Sequence, residues 1–158
     1  RYILAHIKQH TYNVTFRVNY NITPDISIQY YGSPFVSSGI YDNFRHTLQA
    51  GSKDVDERTQ EFRTDEISYN PATNQYHITV PAENYSFSRP DFSFREFRSN
   101  LVARWEYRPG STIYVVWENR RQSRESIYFS DLGHNFNEIM QSDPVNIFMI
   151  KMSFWLGL

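Results

Sequence analysis

The strongest constraint on this chain is a two-residue rhythm in which one of the two faces carries no charge. In TYNVTFRVNYNI, residues 11–22, Val14, Phe16, Val18, Tyr20 and Ile22 alternate with Asn13, Thr15, Arg17, Asn19 and Asn21. Successive strand side chains point to opposite sides of a sheet, so the segment reads as a strand with one apolar and one polar face. Thr23, Pro24 and Asp25 supply turn chemistry, after which Ile26, Ile28 and Tyr30 resume the apolar face opposite Ser27, Gln29 and Tyr31. A three-residue connection predicts Ile22 opposite Ile26 and Asn19 opposite Gln29.

The construction recurs in LVARWEYRPGSTIYVVW, residues 101–117, where Leu101, Ala103, Trp105 and Tyr107 oppose Val102, Arg104 and Glu106 in direction. A turn at Pro109, Gly110 and Ser111 then sets Tyr107 opposite Ile113, Trp105 opposite Val115 and Ala103 opposite Trp117. On the polar face Glu118 falls diagonal to Arg104, which predicts an ion pair. The chain closes on NIFMIKMSFWLGL, with Phe148, Ile150, Met152, Phe154, Leu156 and Leu158 on one face. Ile147, Met149, Lys151, Ser153, Trp155 and Gly157 form the other, which holds the segment's one charge. YILAHIKQ near the start reads as a shorter strand, with Ile3, Ala5 and Ile7 against Tyr2, His6 and Lys8.

Two long polar connections separate these elements, at about 39–91 and about 119–145. Within the first, DEISYNPATNQYHITV predicts a small hairpin with Ile67 and Tyr69 facing Tyr76 and Ile78. Within the second, SDLGHNFNEIMQS predicts a short helix capped at Ser130 or Asp131. The sum is about six strands whose tight, Pro-containing turns alternate with long loops. Outer-membrane barrels have that asymmetry, with short periplasmic turns and long extracellular loops. No apolar run approaches the roughly 18 residues of a membrane-spanning helix, a limit that leaves strands untouched.

The expected fold is therefore all-β, the C-terminal segment of an antiparallel transmembrane β-barrel occupying residues 1–158, with both long connections extracellular. Val14, Phe16, Val18, Leu101, Trp105, Val115, Trp117, Phe148, Ile150, Phe154 and Leu158 are expected to face lipid. Lys8, Arg17, Arg104, Glu106, Glu118 and Lys151 are expected to face the lumen, since a charge on lipid near the midplane costs about 2 to 4 kcal/mol. Tyr20, Tyr107, Trp105 and Trp155 lie near the periplasmic strand ends, where aromatic belts form, although Trp155 has the lumenal parity. About six strands fall short of the eight of the smallest bacterial barrels. An open edge in lipid strands backbone groups, so a missing N-terminal region of the same protein, or another outer-membrane chain, is expected to complete the wall.

The segments RSNLVARWEYRPGSTIYVVW and NIFMIKMSFWLGL, with VTFRVNYNITPDISIQYYGSPFVSSG before them, resemble the C-terminal portion of a family of Gram-negative outer-membrane proteins catalogued as a domain of unknown function. That resemblance implies a carbohydrate-binding-like N-terminal domain, related to family-nine modules, ahead of a large barrel. It implies residence in the outer membrane, with a structural or transport-linked role, and carries over no catalytic residue. The last strand is also similar to the C-terminal assembly signal of outer-membrane proteins, which usually ends in an aromatic where this chain has Leu158.

Other chemistries have less behind them. Sixteen Lys and Arg against 17 Asp and Glu give a net charge of -1, which predicts no nucleic-acid partner. No cysteine is present, which removes disulfides and thiolate metal sites. The acidic run Asp54, Asp56 and Glu57 lacks the length and glycine of a calcium loop and reads as a solvated loop. The five histidines, His6, His10, His46, His77 and His134, show no metal spacing, and adjacent Asp65 and Glu66 would point to opposite faces of a strand. No catalytic, metal or cofactor motif is identified. Tyr30, Tyr31, Tyr41, Tyr69, Tyr76 and Tyr85 near the outer loops could stack on glycan rings, although loop packing explains them equally. The competing fold is a soluble lipocalin-like barrel, in which the apolar faces would enclose a ligand. Intact mass of the detergent-extracted protein tests the missing region: a value far above that of 158 residues is expected, and equality would overturn the expectation.

Overall fold

A computed structural model describes residues 2–81, 83–129 and 131–156. In chain order the elements are β1 (Ile3–Asn13), β2 (Phe16–Thr23), β3 (Ile26–Thr47), α1 (Val55–Arg58), β4 (Thr59–Glu61), β5 (Ile67–Asn70), β6 (Gln75–Val80), β7 (Glu83–Ser88), β8 (Phe92–Arg108), β9 (Ser111–Glu125), α2 (Leu132–Gln141) and β10 (Val145–Ser153). One sheet has the order β1-β3-β8-β9-β10, with β2 and β4 also on β3, and β5-β6-β7 form a second sheet. The protein is all-β and antiparallel, as the alternation predicts. Among the described residues the large sheet is open, ending at β1 and β2 on one side and β10 on the other.

Strand β2 pairs with β3 as Phe16↔Gly32, Val18↔Tyr30 and Tyr20↔Ile28 on one face, and Arg17↔Tyr31 and Asn19↔Gln29 on the other. The Asn19–Gln29 register agrees with the sequence reading, whereas the expected Ile22–Ile26 pair does not form. Thr23 pairs with Ile26 instead, and the register shifts between Asn21 and Thr23. The Thr23 hydroxyl accepts from the Asp25 and Ile26 amides, closing a tighter turn on Pro24 and Asp25 that leaves Ile22 as the extra residue of a bulge. Between β1 and β2 the ladder is interrupted beside Pro34, a residue with no N–H to donate; the Val14 amide still donates to its carbonyl. The Phe16 ring lies over Gly32, where an added Cβ would come within 2.2 Å of it. A glycine opposite an aromatic lets the ring cover bare backbone.

Two connections are shorter than the sequence implies. Strand β3 continues to Thr47 and β9 to Glu125, so the stretches drawn at 39–91 and 119–145 begin later than expected. The β9 extension is polar, with Asn119, Arg121 and Ser123 interrupting the apolar face, and in β3 the run Asp42, Asn43, Arg45 and His46 breaks the alternation around Phe44, so hydropathy alone misses both. The small hairpin forms in the predicted register, Ile67↔Ile78 and Tyr69↔Tyr76, and gains a third strand through Ile78↔Tyr85 and Tyr76↔Phe87.

By internal contacts the chain forms two compact units. The first comprises Arg1–His10, Ser38–Ser93 and Glu125–Tyr128. Its core is conventional: Phe44, Phe62 and Ile78 are buried, and Ile3, Ala5, Tyr41, Tyr76 and Phe87 pack on them. The Phe44, Tyr76 and Phe87 rings meet at centroid distances of 4.8 to 5.4 Å. The second unit comprises Thr11–Ser37, Phe94–Arg124 and Phe129–Leu158. Its interior is the reverse. Ser37, Arg95, Ser99, Ser111, Thr112, Asn119 and Asn135 are buried, whereas only Val36 and Ile139 are buried apolar residues among those described.

The turn joining β8 to β9 has Pro109 followed by Gly110 at φ 76°, the sequence and dihedral of a type II turn. The Gly110 amide donates to Glu106 Oε1, and Trp155 lies so close that a Cβ on Gly110 would sit 2.9 Å from its own. Gly110→Ala should therefore destabilise the protein by more than about 1 kcal/mol, read as a lowered unfolding midpoint.

Candidate functional site

The second unit presents two chemically distinct faces, and β9 and β10 carry the contrast across neighbouring strands. Their register sets Phe148 on Trp117, Ile150 on Val115 and Met152 on Ile113, with Lys151 on Tyr114 and Ile147 on Glu118 between them. Cross-strand partners share a face, so Val115, Trp117, Phe148 and Ile150 lie together on one face of β9 and β10. Val14, Phe16, Val18, Trp105, Val115, Phe148, Ile150 and Phe154 are exposed, Phe148 at 72% and Ile150 at 70%. Leu101 and Trp117 are half-buried, and Leu158 lies outside the described residues.

This apolar face has a definite limit. Beyond Trp117 on β9 the same parity continues as Asn119, Arg121 and Ser123, and beyond Leu101 on β8 as Ser99, Phe97 and Arg95, where Phe97 is the one apolar residue. At the boundary Trp117 Nε1 donates to Asn146 Oδ1 at 3.0 Å, and Asn119 donates to the same oxygen at 2.8 Å. The Trp117 ring stacks on Phe148 at an interplanar angle of 10°. A ring that is apolar on its face and hydrogen-bonded at its edge has the character of an interfacial residue.

Helix α2 covers the polar continuation. Asp131 is its N-cap, accepting from the Gly133 and His134 amides, in agreement with one of the two predicted caps; Ser130 lies outside the described residues. Asn135, buried on the helix, accepts from Arg95 Nε at 2.6 Å, and the Arg95 guanidinium lies over the Phe129 ring. Arg121 donates to the Met140 and Ser142 carbonyls, where a cation complements the negative end of the helix dipole. Leu132, Phe136 and Met140, four residues apart, are exposed. The helix thus turns its amide toward the sheet and an apolar stripe outward.

Of the charges expected to face the lumen, Arg17, Arg104, Glu106, Glu118 and Lys151 belong to the second unit. Lys8 is not among them: it belongs to the first unit and donates to Asp42 at 2.6 Å. That bond first, and one with His6 second, holds the Asp42 carboxyl below its ordinary range. Arg104 pairs with Glu106 and not with Glu118. Glu106 lies two residues along the same strand and face, a more direct approach than the cross-strand diagonal. Glu96 accepts from Arg98 on its own strand and from Arg120 on β9, and sequence reasoning missed the second partner because it lies on a different strand. A cavity of about 540 Å³ opens on the polar face, lined by Arg17, Asn19, Gln29, Tyr30, Tyr31, Asn100 and Val102.

The remaining candidates have structural work. Asp54, read as part of a solvated acidic loop, accepts from the Asp56 amide and its carbonyl from the Arg58 amide, which starts the turn of α1. Tyr41, Tyr76 and Tyr85 pack against the first unit's core, and Tyr69 lies under the Arg89 guanidinium. No three His, Asp or Glu side chains among the described residues are placed to hold a metal ion. Asn135→Ala should cost about 1.5 to 3 kcal/mol by leaving the buried Arg95 short of an acceptor. Amide exchange over residues 132–141 should accelerate, and unchanged exchange would show that Asn135 does not hold the helix.

No curated protein and no solved structure matches the chain. One family model does, over residues 1–158, and its description is a domain of unknown function, DUF5916. With its whole length matched, the chain belongs to the DUF5916 family.

Proposed function

We propose that this chain is the C-terminal wall of an integral outer-membrane β-barrel with a structural or transport-linked role. The observation that carries the reading is the exposed apolar parity of the second unit, with Val14, Phe16, Val18, Trp105, Val115, Phe148 and Ile150 open to the surroundings while Arg17, Arg104, Glu106, Glu118 and Lys151 take the other parity of the same strands. In water the exposed apolar side chains would forfeit their burial, whereas in hydrocarbon they lie in a matching solvent. The apolar side chains from Val14 to Ile22 cover about 27 Å of strand, about 20 Å of depth at a barrel tilt of about 40°, close to the apolar band of such proteins.

Two further features agree. The outward stripe of α2 suits an interfacial location beside the Trp117–Asn146 boundary, and the cavity opens on the polar face. A soluble lipocalin-like barrel would instead curl its apolar face inward around the ligand. In this reading the open edges at β2 and β10 pair with strands from the rest of the wall, since unpaired backbone is untenable in lipid. The carbohydrate-linked N-terminal domain stays part of the proposal through family resemblance alone.

Val115→Arg should cost about 2 to 4 kcal/mol and abolish outer-membrane assembly, read as loss of a heat-modifiable band in the membrane fraction. Val116→Arg, on the other face of the same strand, should assemble. Equal assembly of both variants would overturn the reading.

A further inference from the structure

The cavity on the polar face has a composition that ion pairing and packing leave unexplained. Every other cation named on that face has an assigned neighbour: Arg104 has Glu106, and Arg98 and Arg120 share Glu96. Lys151 is apart from the cavity, on β10 opposite Tyr114. Arg17 is different. Among the described residues its guanidinium has no carboxylate within ion-pair distance, and it lies over the Tyr31 ring at 5.4 Å from the centroid. A guanidinium resting on an aromatic face keeps its planar edge of N–H donors free for an anion.

Around it stand amides with unused capacity. Asn19 and Gln29 are cross-strand partners, and neither side chain hydrogen-bonds within the described structure. Asn100 Oδ1 is buried and has no donor. A buried carbonyl oxygen left unpaired costs about 1 to 3 kcal/mol unless something supplies a hydrogen bond. Val102 adds one apolar contact, and the volume of about 540 Å³ is that of a small-solute site.

We infer that this cavity binds a small hydroxylated organic anion, its carboxylate or phosphate on Arg17 and a hydroxyl donating to Asn100. The exposed guanidinium, held over Tyr31 with no carboxylate beside it among the described residues, favours an anion. The amides demand hydroxyls, because Asn19, Gln29 and Asn100 offer donors and acceptors beside each other, and Asn100 Oδ1 takes only a donor. A simple inorganic anion would satisfy Arg17 and leave Asn100 unpaired. The inference rests on the barrel reading for placing the site inside the lumen, and on the folded polar face alone for its chemistry.

The test is equilibrium dialysis of labelled gluconate, glucose 6-phosphate, glucose and acetate against the detergent-solubilised full protein. Gluconate and glucose 6-phosphate should bind, with glucose and acetate at least about 10-fold weaker, since each lacks one half of the recognition. Arg17→Gln should weaken gluconate about 10-fold or more, Asn100→Leu should weaken it several-fold, and Arg17→Lys, which keeps the charge but loses the stacked planar fork, should fall between Arg17→Gln and wild type. Heat-modifiability of each variant reports that the fold is intact. Absent gluconate binding in folded wild-type protein, or equal binding by Arg17→Gln, would overturn the site. So would equal binding of acetate, which would leave only an anion contact. The membrane reading fails separately, through the Val115 and Val116 pair, because dialysis needs only that β2, β3 and β8 be folded together.

Discussion

The second unit depends on a single geometric constraint, the two-residue period of an antiparallel ladder. Because each strand shows alternate side chains to opposite sides, a chain with modest apolar content can still build a continuous apolar surface. It does so by rationing its large side chains to one parity, as the Phe148–Trp117 and Ile150–Val115 pairs show. The cross-strand hydrogen bonds hold those parities together, so the surface belongs to the ladder and to no one strand. The residues of the other parity then meet one another, and their charges find partners such as Arg104 with Glu106.

How much of this was legible follows from the range of the signals involved. The alternation of Val14 to Ile22 and of Leu101 to Trp117, the Asn19–Gln29 register and the Asp131 cap are local, and the sequence carries them openly. The bulge at Ile22 was not legible, because the Thr23 hydroxyl tightened a turn that counting made looser. The outer reaches of β3 and β9 were hidden for a different reason. On β9 the outward parity becomes Asn, Arg and Ser, and the arrival of α2, which accepts from Arg121, explains why such residues belong in a strand. Likewise Glu96 finds Arg120 through strand pairing, a separation that no local pattern encodes.

The two units solve the burial problem in opposite ways. In the first, rings from β3, β6 and β7 pack on Ile78 in an apolar cluster, and Ser38, Asp91 and Ser93 are buried as well. In the second, a buried contact joins Arg95 to Asn135, a hydrogen bond that makes a charge tolerable under a helix. That helix buries an amide and shows Leu132, Phe136 and Met140 to its surroundings. A single chain thus contains two grammars of burial, and the alternation by itself distinguishes neither. What separates them is the identity of the groups that are covered.

The contact of Phe16 with Gly32 bears on how such a sheet avoids mistakes. The ring fits where the opposite residue has no side chain, so moving β2 by one position would press it against Tyr31 or Ser33 and uncover the glycine. The same slip would exchange the faces of the whole strand, delivering Arg17, Asn19 and Asn21 to the apolar side. In the proposed barrel a misaligned hairpin would carry a cation and two amides toward hydrocarbon, and its entry into a bilayer would stall. Under that proposal, proofreading of this hairpin needs no separate machinery, since the lipid itself would reject the wrong alignment.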